Sequence, residues 1–183
     1  MRPPRYAGDP ILHPQYPRIR ETYSVYNAYP NYGVRLDIHE KLTPGGSFYC
    51  TDFRVAEMAG TDKSRLFASG CRGLMRCELP LIDEKANQQP ATYTVRLGFQ
   101  TRPGDEATQR MFDVKLLDRV VESDCDVMQA AQMPDRASIE EFRSVLVQGD
   151  LLIELVPKAE MPDIDRVPIF NFVEVIREDP GNH

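Results

Sequence analysis

The sequence predicts an all-β protein, a two-sheet β-sandwich of the jelly-roll type led by a Tyr/Pro-rich N-terminal arm. Three observations carry that expectation. From Gly33 onward the apolar residues recur at every second position, the period of a strand with one buried face. About eight to ten such runs, all short, are separated by Gly, Pro and Asn/Asp turn signals. The first 32 residues obey a different rule, holding six of the eight tyrosines and six of the fifteen prolines. The chain therefore divides into an arm over 1–32, a sandwich over 33–178 and a tail over 179–183.

Within the arm, Tyr23, Tyr26, Tyr29 and Tyr32 recur at every third residue, the repeat of an extended or polyproline-like segment with one aromatic edge. Such an edge serves either as a stacking platform for a ligand or as a strip of rings packed across the domain. The sandwich opens with "GVRLDIHE", and Pro44-Gly45-Gly46 is expected to turn the chain into "SFYCTDFRVAE". "SRLFASG" and "LMRCELPL" follow, punctuated by Gly70 and Gly73. Next, Tyr93, Val95, Leu97 and Phe99 share one strand face, with Thr94, Arg96, Gly98 and Gln100 on the other. The polar stretch "QTRPGDEATQ" is too long for a tight hairpin turn, and beyond it Phe112, Val114 and Leu116 alternate with Asp113 and Lys115.

A single helical turn fits "VMQAAQ", stopped by Pro134. "SIEEFRSVLVQG" reads two ways. Ser138 and Glu141 match a capping box, with Ile139, Phe142 and Leu146 at near-helical spacing. The same stretch alternates as a strand through Arg143, Val145 and Val147 into a turn at Gln148-Gly149-Asp150. "DLLIELVP" and "PIFNFVEVIR" complete the strands.

Composition narrows the function. A chain of 183 residues fits one domain, which buries roughly 70% of its unfolded surface and needs no covalent staple. Cys50, Cys71, Cys77 and Cys125 are then free buried thiols by default, with disulfides as the alternative, so the redox compartment stays open. A net charge of −6, with no basic stretch interleaved with aromatics, argues against nucleic acid. No apolar run approaches the ~20 residues of a membrane span, which argues against insertion. Arg2 and Arg5 have no apolar region behind them, so the start is not a signal peptide. The protein is intracellular if Met1 is the native start, and extracytoplasmic if this is a domain of a longer secreted chain.

Catalysis finds little support, and nothing singles out two of the many carboxylates as the pair of a glycoside hydrolase. His13 and His183 lie in the tails, leaving His39 as the one histidine inside the fold. No serine stands in a G-x-S-x-G setting, and Cys71 and Cys77 are too far apart for a C-x-x-C zinc knuckle. Glu122, Asp124 and Asp126 alternate in "ESDCD" and offer oxygens to calcium, but without the glycine turn or the full ligand set of a calcium loop. The expectation is no enzyme, no cofactor and no metal. The polar loop, with Arg102, Asp105, Glu106 and Arg110, either meets a charged or hydroxylated ligand or is simply solvated.

The order "YTVRLGF", "QRMFDVKLLDRVV", "DCDV", "EEFRSVLVQGDLLIELVP" and "VPIFNFVEV" resembles the malectin and malectin-like carbohydrate-binding family. Its most specific part is the closing strand, where Pro168, Asn171 and Glu174 fall in place. The resemblance implies a two-sheet β-sandwich without catalysis and resolves about 142–147 toward strand. It aligns "FYCTDF" with a (W/Y)-x-(A/T)-D segment, marking Asp52, and sets Arg72 where a T-x-R arginine stands. It offers Asp163 or Asp165 as the aspartate before the final strand. The family's sugar binder holds a glucose-containing disaccharide on loops at one end, using rings and an aspartate.

This sequence departs from that pattern. Gln100, Thr101, Arg102 and Pro103 stand where the sugar-binding relative has paired aromatics, and Gly73 follows Arg72 where a tyrosine is expected. A glycan site rebuilt around Asp52, Arg72, Arg102, Asp163 and Asp165, with the arm tyrosines supplying rings, is one expectation. A protein-interaction or scaffolding module, possible within a cytoskeletal assembly, is the other.

Overall fold

A computed structural model describes residues 22–26, 33–51, 58–81, 89–133, 136–159 and 163–178, with 22–26 and 33–37 described by backbone alone. β1 (Thr22–Tyr26) and β2 (Gly33–Asp37) form an antiparallel pair of their own, Tyr23 opposite Leu36 and Tyr26 opposite Gly33. The remaining strands are β3 (His39–Cys50), β4 (Ser69–Pro80), β5 (Ala91–Gln100), β6 (Met111–Leu116), β7 (Arg119–Asp126), β8 (Ala137–Val147), β9 (Asp150–Pro157) and β10 (Ile169–Arg177). All of them pair antiparallel, in the order β7-β6-β9-β4-β10-β5-β8, with β3 added on β4.

The long strand β4 belongs to both layers of the sandwich. Its start pairs with β10, Cys71 opposite Phe170, and its end pairs with β9, Cys77 opposite Ile153. From there one branch runs through β10, β5 and β8, and the other through β9, β6 and β7. The branches face each other across the core. Val95, Leu97 and Phe99 of β5 meet Phe112 and Val114 of β6 and Ile153 and Leu155 of β9, all essentially without solvent contact. The Phe99 ring lies 5.2 Å from Phe112 and 5.7 Å from Phe170 between centroids, tying the two layers together. Each such side chain contributes about 1.5–3 kcal/mol through burial.

Two local expectations change. Pro44-Gly45-Gly46 does not turn the chain into a new strand. Leu42 faces Leu74 and Ser47 faces Arg72, so Thr43–Gly46 bulge out opposite Gly73 while β3 continues along the same partner. The capping-box reading of Ser138 fails as well. Residues 137–147 are strand β8, and the Ser138 hydroxyl donates to Glu140 Oε1 at 2.6 Å rather than to a helix N-terminus. Long-range pairing with β5 decides the matter, since alternation places Phe142 opposite Val95 and Val145 opposite Tyr93. Ile139, Phe142 and Leu146 do not share a face. Ile139 lies opposite Gly98 and Leu146 opposite Thr92, whereas Phe142 lies opposite the inward-facing Val95. A bulge at Ser144, at φ 57°, separates Phe142 from Leu146.

The expected helical turn is α1 (Val127–Ala131). Asp126 caps it, its Oδ1 accepting from the Met128 and Gln129 amides at 3.1 and 3.4 Å. Gln132, in the left-handed region at φ 63°, closes it. Pro134, proposed as its stop, lies outside the described residues. Cys71, Cys77 and Cys125 are buried thiols outside any disulfide, and Cys50 is exposed. Burial first, then the charge of Glu40, pushes the Cys71 and Cys77 thiols up to about 12.

Candidate functional site

One end of the sandwich gathers the polar loop 101–110, the segment 163–168 and the end of β3. The loop is built around a buried ion pair. Arg110 donates through Nε and Nη2 to Asp105 Oδ2 and Oδ1 at 3.0 and 2.9 Å, and through Nη1 to the Val167 carbonyl at 2.8 Å. Both side chains are only 6% exposed. Asp105 Oδ2 also accepts from the Arg102 amide at 2.8 Å, closing a turn over Arg102-Pro103-Gly104-Asp105. Pro103 suits the second position of that turn, and Gly104, at φ 88°, the third, where a side chain would be strained. Asp105 and Arg110 are therefore neither solvated nor open to a ligand. They are the loop's frame.

Further bonds pin the loop at both ends. The Thr101 hydroxyl donates to the Met133 carbonyl at 3.1 Å and accepts from the Arg136 amide at 3.0 Å. The Thr108 amide donates to Asp126 Oδ2 at 2.8 Å, and Gln109 Nε2 to the Asp165 carbonyl at 3.2 Å. A loop so held keeps one shape, the condition for a preorganised binding surface.

A ring stands beside it. The loop carries no aromatic residue, but Tyr49, near the end of β3, sits beneath Arg102, whose guanidinium carbon lies 5.6 Å from the ring centroid. Tyr49 pairs with Gly70 in register, and a Cβ at Gly70 would lie 2.7 Å from the Tyr49 hydroxyl, so only glycine lets the phenol lie over β4. Asn171 Nδ2 donates to that hydroxyl at 2.8 Å and reaches the Ser69 carbonyl at 3.0 Å and Gln100 Oε1 at 3.1 Å. Burial raises the Tyr49 phenol well above its usual range, opposed by the Asn171 hydrogen bond and the charge of Arg72. The phenol stays neutral and keeps a proton to donate.

Of the residues singled out from sequence, Arg72, Arg102 and Asp165 come together here. Half-buried Arg72, whose charge Tyr49 feels, faces exposed Asp165 with Nη1–Oδ1 at 3.6 Å. Asp163 is exposed in the adjoining turn, its carbonyl accepting from the Arg166 amide at 2.8 Å. Asp52 lies outside the described residues, as do Tyr29 and Tyr32, and Tyr23 and Tyr26 are described by backbone only. Tyr49 was overlooked in the sequence although it occupies the (W/Y) position of the segment used to mark Asp52.

The alternating acids have separate employment. Asp126 caps α1, and Asp124 Oδ1 meets Lys158 Nζ at 2.9 Å, which also holds Asp113 at 2.6 Å. Among the described residues no group of three or more His, Cys, Asp or Glu side chains is placed to hold a metal ion.

Fold and site define a small all-β sandwich domain whose polar end is assembled from loops. Its sequence matches the family model described as the Malectin domain over residues 46–161, more than half of the chain, and the protein belongs to that family. Solved structures of plant receptor ectodomains show the same fold at low identity. The plant receptor-like kinase ANX2 is 12% identical, with a TM-score of 0.52 over 78% of this chain and 40% of that one. The extracellular domain of ANXUR1 from Arabidopsis thaliana is 11% identical, with a TM-score of 0.50 over 74% and 39%. A family 35 carbohydrate binding module from Clostridium thermocellum is 10% identical, covering 75% of this chain and 96% of its own, with a TM-score of 0.39. The chain thus spans about two fifths of the plant ectodomains it matches, at 40% and 39% of their lengths. No curated protein matches it.

Proposed function

We propose that this domain is a non-catalytic binding module that recognises a glycan at the end formed by Tyr49, Arg72, Arg102 and Asp165. The observation that carries this reading is a ring, two guanidinium groups and a carboxylate held together by a loop with a buried frame. A carbohydrate offers hydroxyls in fixed directions, and such groups, fixed in advance, take them without ordering cost. Membership of the malectin family supports the same reading.

The test is a glycan array probed with this chain and with its Tyr49→Ala variant. Binding to at least one oligosaccharide, weakened roughly tenfold by loss of the phenol and of the support it gives Arg102, is the expected outcome. Absence of binding across gluco-, galacto- and manno-configured oligosaccharides would overturn the proposal.

A protein partner is the second reading, favoured by a different surface. Leu146 and Ile176 are 62% and 42% exposed, and they face Thr92 and Thr94 at the start of β5. That point lies on the order of 25 Å along the strand from Gln100 at the polar end. Leu146→Asp would abolish a protein contact there and leave glycan binding intact.

A further inference from the structure

Arg102 does more than close the polar end. Its guanidinium lies over the Tyr49 ring, so the face that a neutral sugar would stack on is already covered. A guanidinium stacked over a ring keeps its edge, a planar fork of N–H donors, for a carboxylate or sulfate. The nearby carboxylates do not occupy that fork. Both oxygens of Asp105 are taken, Oδ1 by Arg110 and Oδ2 by Arg110 and the Arg102 amide. Asp165 faces Arg72 instead. Among the described residues Arg102 forms no ion pair, although it is half-buried on a chain of net charge −6. A partly buried guanidinium whose fork no described carboxylate occupies is suited to a charge-assisted bond with an incoming anion.

We infer that the ligand of this site is an acidic oligosaccharide, whose carboxylate or sulfate is held by Arg102 while Asp165 and the Tyr49 phenol take hydroxyls. This rests on the glycan reading above and specifies its chemical class. Arg102 sets the preference for charge.

The experiment titrates the chain with uronic-acid oligosaccharides, with the same oligosaccharides after carboxyl reduction, and with oligoglutamate. The acidic sugars should bind roughly tenfold to a hundredfold more tightly than their reduced forms, the range expected for one charge-assisted contact. That margin should shrink with added salt. Arg102→Gln should erase the margin, with an unchanged melting temperature showing that the fold persists, and Arg102→Lys should restore only part of it. Equal binding of acidic and reduced sugars would overturn the inference and leave the glycan reading standing. Oligoglutamate binding as tightly as the uronates would overturn it in favour of an acidic peptide. If no saccharide of either kind binds, the inference and the glycan reading fail together.

Discussion

Asp105 and Arg110 show how a residue's role escapes its sequence neighbourhood. Both belong to a loop that reads as hydrophilic and solvated, yet they form a bidentate pair that is 6% exposed on either side. Contacts five residues apart in irregular backbone leave no period to detect, whereas strand alternation does. Removing one partner strands the other charge in the interior, so Arg110→Met or Asp105→Leu should each cost about 3–5 kcal/mol. The double replacement should cost clearly less than the two together, because no orphaned charge remains. Urea unfolding of the four proteins tests this. Single variants within 1 kcal/mol of wild type would mean that the loop is solvated after all. Tyr49 is the other residue-scale lesson. Its ring belongs to the site through strand pairing with Gly70, a contact between segments that local inspection of the loop cannot supply.

At the scale of elements, the strands with plain alternation were legible and the punctuation between them was not. β5 and β6 have the faces their sequences predict, with Tyr93, Val95, Leu97 and Phe99 inward. The errors fall where backbone leaves the regular path. The Thr43–Gly46 bulge looks like a turn, and the Ser144 bulge interrupts the alternation of β8 between Phe142 and Val145. That second bulge is held from outside, since Glu178 Oε1 accepts from the Ser144 amide at 2.9 Å and from the Thr94 hydroxyl at 2.7 Å. α1 is so short that its cap decides its existence. Asp126 accepts from two of its amides and from the Thr108 amide of the polar loop, so one carboxylate orders both segments. Asp126→Ala should destabilise the protein by about 1–2 kcal/mol, and Asp126→Asn by less. Faster amide exchange in both α1 and the 101–110 loop of the alanine variant is the accompanying sign. Faster exchange in α1 alone would separate the two elements.

For the whole molecule, two branches closing over one core leave β7 and β8 as the far edges of the strand order. Exposed edges invite pairing with another chain, and inward-pointing charge is one protection. Glu140 supplies it on β8, opposite Leu97 on the face turned to the core, and its charge is felt by Glu122 on β7. Burial, and then Glu140, raises the Glu122 carboxyl above its ordinary range. The sign of the consequence follows. The folded state holds the proton to higher pH than the unfolded chain, so this group lowers stability as pH rises through and beyond the usual carboxylate range. Glu174 and Asp113, held down by Arg96 and Lys158 respectively, act in the opposite sense, their contribution fading as pH falls. Comparing wild type with Glu122→Gln isolates the first effect. The two proteins should melt together near pH 4, where Glu122 is largely protonated, and the variant should become the more stable as pH rises to 7. A difference that stays constant across that range would mean that Glu122 acts through shape rather than charge. The two edges would then owe their protection to something other than these carboxylates.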